Sequence, residues 1–193
     1  MASLARLFPG FARFGAFSFA FALALAPALA LAVRDESPVT EESVKAAFLY
    51  KFPGYIEWPA PMLAAPDEPV VIGAIGADDV AAELLQIAAA RKPGRPLVVR
   101  KLRDAGSLGG VHILFIGASE RARADELIRI AHAGNVLTVT EWDGALRQGS
   151  IINFVSNEGR VRFEVSLEPA EKSGLRLSSR LLAVAHQVFN TRP

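Results

Sequence analysis

Val70-Val71-Ile72-Gly73-Ala74-Ile75, followed by Gly76 and Asp78, is the stretch that decides the architecture. The run is apolar throughout and rich in β-branched residues, with no polar alternation. Such a run reads as a strand buried on both faces, the kind a helix-covered parallel sheet is built from. Gly76 turns the chain, Asp78 can cap, and Asp79 to Ala90 reads as a helix. A buried strand passing into a helix is the first half of a βαβ unit.

The pattern repeats downstream. Leu97 to Leu102 is a second strand, entered through Pro93-Gly94-Arg95-Pro96. Val111 to Ile116 is a third, continuously apolar again. Ser119 caps a predicted helix over Glu120 to His132, with Leu127, Ile130 and Ala131 on one face and Gly134-Asn135 as its stop. Val136 to Thr140 is the fourth strand, and Trp142 to Arg147 a short helix or turn. Upstream, Val44, Phe48 and Phe52 recur at helical spacing over Glu41 to Trp58, with Thr40 as N-cap. Pro53-Gly54 interrupts that helix and Pro59-Ala60-Pro61 ends it.

The C-terminal third changes period. Ile151 to Ser156 and Arg160 to Leu167 are strands joined by Asn157-Glu158-Gly159, a hairpin signal. Val161, Phe163, Val165 and Leu167 alternate with Arg160, Arg162, Glu164 and Ser166, giving one buried and one wet face. Pro169 to Ser173 reads as a short helix, and Ser178 to Phe189 as a final one with Leu181, Leu182, Ala185 and Val188 on one face. The fold class expected is α/β: a three-layer sandwich with a mixed, mostly parallel central sheet and a C-terminal hairpin. Residues 33–193 form a single domain in this reading, with no internal repeat.

Residues 1–32 read differently. Arg6 and Arg13 precede an apolar run from Gly15 to Leu25, Pro27 interrupts, and Ala30 and Ala32 offer a small-residue cleavage site. This is the pattern of a cleaved signal peptide, which implies export to the periplasm. Without it the chain keeps 19 basic and 20 acidic residues, a balance with no electrostatic drive toward nucleic acid. There is no cysteine, so disulfides, thiolate metal sites and thiol nucleophiles are excluded.

Catalytic patterns are missing as well. Gly73-Ala74-Ile75-Gly76-Ala77-Asp78 lacks both the dinucleotide fingerprint and the phosphate-loop lysine, and reads as a strand end and a helix cap. His112, His132 and His186 are scattered, without metal-ligand spacing. No G-x-S-x-G elbow is present. The expectation is a protein that is not an enzyme, with no catalytic residues, metal or cofactor.

Several blocks, in order, carry a resemblance. They are Val44-Lys45-Ala46-Ala47-Phe48-Leu49-Tyr50-Lys51-Phe52 with Tyr55-Ile56-Glu57-Trp58-Pro59; Val71 to Gly76; His112 to Ile116; Val136 to Val139; Gly149 to Val155; Val161 to Val165; and Ser173 to Leu182. From Val44 to Ala185 the chain resembles YfiR-family proteins. That resemblance implies an exported repressor that binds the periplasmic sensor domain of a membrane-bound diguanylate cyclase. It would thereby limit cyclic di-GMP and biofilm formation, and it would act as a homodimer. The chain departs from the family in having no cysteine, with Ala74 and Val111 near positions where relatives carry one. Within the matching blocks, Phe154, Arg162, Glu164 and Arg180 become candidates for a partner or ligand surface, together with the aromatic Trp58. Glu164 and Arg180 could also form a structural ion pair. The alternative is a periplasmic small-molecule sensor acting with another membrane partner, its pocket near Gly76, Arg103 and Gly117 at the C-terminal ends of the parallel strands.

Overall fold

The structure is a computed structural model, and it describes residues 39–63, 65, 67–90 and 95–191. The expected leader, residues 1–32, lies outside the described residues. Among the described residues no helix is long and apolar enough to cross a membrane.

Thr40 opens helix α1, Glu41–Lys51, by accepting the Ser43 N–H on its hydroxyl, the capping geometry its position in the sequence predicts. The helix ends sooner than expected. Pro53 forces a 3-10 turn over Phe52–Tyr55, and the chain then leaves as a two-residue strand β1, Ile56–Glu57. Strand β2, Val70–Ile75, feeds helix α2, Asp78–Ala90, and strand β3, Leu97–Leu102. Strand β4, Ile113–Ile116, passes through a 3-10 turn at Ala118–Arg123 into helix α3, Ala124–Ala133, and then strand β5, Leu137–Thr140. The hairpin pairs β6, Ile152–Asn157, with β7, Arg160–Ser166. Short elements finish the chain: α4 Leu167–Lys172, β8 Arg176–Leu177, α5 Ser179–Val184 and β9 Gln187–Phe189.

The seven-stranded sheet runs β3-β2-β4-β5-β6-β7-β9, and β1 pairs with β8 in a separate two-stranded ribbon. Every neighbour in the main sheet is parallel except β6 and β7, which face Phe154 with Phe163 and Asn153 with Glu164. The mixed, mostly parallel sheet matches the sequence pattern. From β2 the chain first moves outward to β3 and then back past β2 to β4. Right-handed crossovers in opposite directions put their helices on opposite faces. The two cores show this. One packs α1 and α2 on Ile72, Ile113, Phe115 and Leu137, and the other packs α3 on Ile75, Leu114 and Ile116.

One element is corrected. Ser178 to Phe189 is not a single helix: α5 stops at Val184, and residues 187–189 become an edge strand parallel to β7. The His186 N–H donates to the Phe163 carbonyl at 2.7 Å, the start of that ladder. Here an open sheet edge outcompetes a local helical pattern.

Candidate functional site

The C-terminal ends of the parallel strands are where folds of this class bind ligands, at the point where strand order reverses. That point lies between β2 and β4. A Cβ on Gly117 would sit 2.0 Å from the Gly76 carbonyl oxygen, so the two loops meet backbone to backbone. Gly76 has φ of +63°, and the Ser119 hydroxyl donates to its carbonyl at 3.1 Å. Arg123 bonds the Arg103 carbonyl and pairs with Glu120 at 2.6 Å. Of the three residues near which a pocket was expected, Gly117 is buried against Gly76, while Gly76 and Arg103 are exposed.

A charge cluster ties α1 to the same end of the sheet. Glu141, just beyond β5, accepts the Ala118 N–H at 3.0 Å with one carboxylate oxygen and the Lys45 ammonium at 2.7 Å with the other. Lys45 also holds Glu41 at 2.6 Å. The Lys45 side chain is 11% exposed and that of Glu141 15%, so this pair is shielded from water. Burial alone would lower the Lys45 pKa. The hydrogen bonds and charges of Glu141 and Glu41 outweigh it and raise it above its usual value.

At the other end of the strands, the starts of β2 and β4 are clamped by a histidine. His112 donates its backbone N–H to the Val71 carbonyl at 2.9 Å, and its ring Nδ1 accepts the Val71 N–H at 3.0 Å. Trp58 stands edge-on against the ring, with centroids 6.0 Å apart. Burial lowers the His112 pKa, with Glu68 opposing and Arg95 reinforcing. A protonated ring would point an N–H at an N–H. A histidine with a depressed pKa contributes stability above its unfolded value near 6.5, and that stability is lost as pH falls through the folded value. Denaturant midpoints should therefore fall as pH drops from about 7.5 to 5, within the window set by that reference. The His112→Asn variant should show a shallower slope. Parallel slopes for the two proteins would remove His112 as the cause.

The five residues singled out in the sequence do not form one surface. Phe154 is 3% exposed and packs among Phe48, Phe52 and Phe115, in the core rather than at a partner surface. Arg162 and Glu164 lie on the opposite face of the sheet, Arg162 exposed and Glu164 half-buried. Arg180 is exposed on α5. The alternative structural ion pair between Glu164 and Arg180 is not made. Trp58 is half-buried beside His112, and its indole N–H has no hydrogen-bond partner among the described residues. Sequence reasoning passed over the Lys45–Glu141 pair, whose members are 96 residues apart. Its one signal was a lysine on a helix face otherwise apolar with Leu49 and Phe52.

Among described residues, no cluster of three or more His, Cys, Asp or Glu could hold a metal ion.

Comparisons with known proteins place this geometry. A conserved domain protein from Vibrio cholerae O1 biovar eltor superposes with a TM-score of 0.49 at 14% identity, covering 76% of this chain and 60% of that one. An ABC domain from Streptococcus pneumonia, solved in complex with L-Trp, superposes with a TM-score of 0.51 at 11% identity, covering 77% of this chain and 60% of that one. At that identity the second likeness is one of fold. The chain thus spans about three fifths of each of those structures. No curated protein matches it by sequence. The family model described as YfiR/HmsC-like matches residues 42–186, from the first turn of α1 to the start of β9, and the chain belongs to that family.

Proposed function

We propose that this protein is a periplasmic repressor that binds the periplasmic sensor domain of a membrane-bound diguanylate cyclase and holds it inactive. The family is one of periplasmic regulators of cyclic di-GMP signalling, and the match runs through nearly all of the described domain. The observation that carries the reading is that match, which covers residues 42–186. Repression then needs only tighter binding to the inactive cyclase. A swing in occupancy from 1:99 to 99:1 takes ~5.5 kcal/mol of differential affinity, within reach of an ordinary protein interface. Arg162, Glu164 and Arg180 are the charged residues proposed for that interface, on a homodimer.

The test is cyclic di-GMP in cells lacking the protein. Deletion should raise it, and the exported wild-type chain should restore it. Arg162 and Arg180 are exposed, so Arg162→Glu and Arg180→Glu should change stability by no more than about 0.5 kcal/mol. At least one should fail to restore repression. Unchanged cyclic di-GMP on deletion across several growth conditions would overturn the cyclase reading. Full repression by both variants would move the interface elsewhere.

A further inference from the structure

A groove of about 440 Å³ runs between the start of α1 and the tip of the β6–β7 hairpin. Val39 and Val44 line it from the helix side, and Arg160, Val161 and Arg162 from the strand side. Val39 is 82% exposed, an apolar side chain held at the lip. Neither Arg160 nor Arg162 makes an ion pair with a described residue. Glu41 also lines the groove, with its charge drawn toward Lys45 at 2.6 Å.

The strand beside the groove is an open edge. β9 pairs with β7 only from Glu164 to Ser166. The Phe163 carbonyl points to the β9 side, where it accepts the His186 N–H. Backbone groups alternate along a strand, so the Val161 N–H and carbonyl point to that same side, beyond the end of β9. Unpaired edge groups of this kind seek an acceptor or donor.

We infer that this groove is a binding site for a small amphiphilic carboxylate, a monoanion with an apolar tail. The carboxylate sits at the open strand edge, accepting from the Val161 N–H and from the Arg160 and Arg162 guanidiniums turned round that edge from the outer face, and the tail lies on Val39, Val44 and the Val161 side chain on the α1 face. Guanidinium forks match a carboxylate in geometry and charge. Two arginines against Glu41 leave one net positive charge in the lining, which suits a monoanion over a dianionic phosphate. The volume falls in the lower part of the range for ligand sites and suits a tail of about six to ten carbons. The site does not depend on the regulatory reading, because it is measured on the isolated protein.

The experiment is calorimetric titration of octanoate into the exported protein, with acetate, octylamine and inorganic phosphate as comparison probes. Octanoate should saturate one site per chain, and each comparison probe should bind at least tenfold more weakly. Arg160→Gln with Arg162→Gln should weaken octanoate at least tenfold. Val39→Ser, at an exposed position, should weaken it several-fold with unchanged acetate response. No saturable octanoate binding overturns the inference, as does undiminished binding by the double glutamine variant. Equal binding of acetate would show a bare anion site and overturn it too.

Discussion

Phe163→Ala should destabilise the protein by about 3–5 kcal/mol, the cost of truncating a buried aromatic and leaving its space unfilled. Phe163 is 1% exposed, and it sits edge-on to both Phe48 and Phe52, with ring centroids 5.4 Å apart in each pair. Phe52 in turn stacks on Phe154 at 6.1 Å, and Phe154 meets Phe115 edge-on at 6.0 Å. This chain of rings joins α1 to β7, β6 and β4, so one truncation opens a cavity at the place where helix, hairpin and parallel sheet meet. Edge-on pairs add about 0.5–1.5 kcal/mol beyond their buried area, and Phe163 makes two of them. Phe163→Leu keeps most of the volume and should cost about half as much or less. Equilibrium unfolding in denaturant reads both. A loss under about 1.5 kcal/mol for the alanine variant would mean that neighbouring rings collapse into the gap, and that the cluster is softer than its geometry indicates.

The central parallel strands β2 and β4 were legible because each is a short, unbroken apolar run, a pattern set by burial on both faces. Val70–Ile75 and Leu97–Leu102 match the observed strands residue for residue, and the hairpin differs only at its ends. The last segment was misread for a physical reason. Leu181, Leu182, Ala185 and Val188 have helical spacing, yet the open edge of β7 offers hydrogen-bonding groups that the local pattern cannot register. The site candidates are scattered for a comparable reason. Phe154 and Arg162 sit in adjoining strands of one hairpin, but strand alternation sends them to opposite faces. The groove beside Val161 was not legible at all. It joins the start of α1 to the hairpin tip, beside a stretch of β7 that β9 leaves uncovered, a matter of register between distant segments.

Register between distant segments also governs the remaining large effect. Lys45→Met should destabilise the protein by about 3–5 kcal/mol, because it leaves the shielded Glu141 carboxylate without its cation. Glu141→Ala should cost a similar amount and also strip the Ala118 N–H of its acceptor, loosening the loop that follows β4. Glu41→Ala provides the contrast. That carboxylate lies 2.6 Å from the same ammonium, but its side chain is 52% exposed. An exposed pair one helical turn apart is worth only about 0.3–0.5 kcal/mol. The pH dependence has a definite sign. A lysine whose pKa is raised on folding contributes stability that is complete below its unfolded value near 10.4 and is lost only as pH climbs through the folded value. Between about pH 5 and 7.5, well below that unfolded value, the contribution of Lys45 is constant, and the His112 effect can be measured without interference from it. A double-mutant cycle of Lys45→Met with Glu141→Gln isolates the coupling, since the glutamine can still accept from Ala118. Coupling of at least 1.5 kcal/mol would establish the pair as the tie between α1 and the strand ends. Coupling near zero would show that Lys45 is held by Glu41 and packing alone, and that Glu141 serves the Ala118 amide on its own.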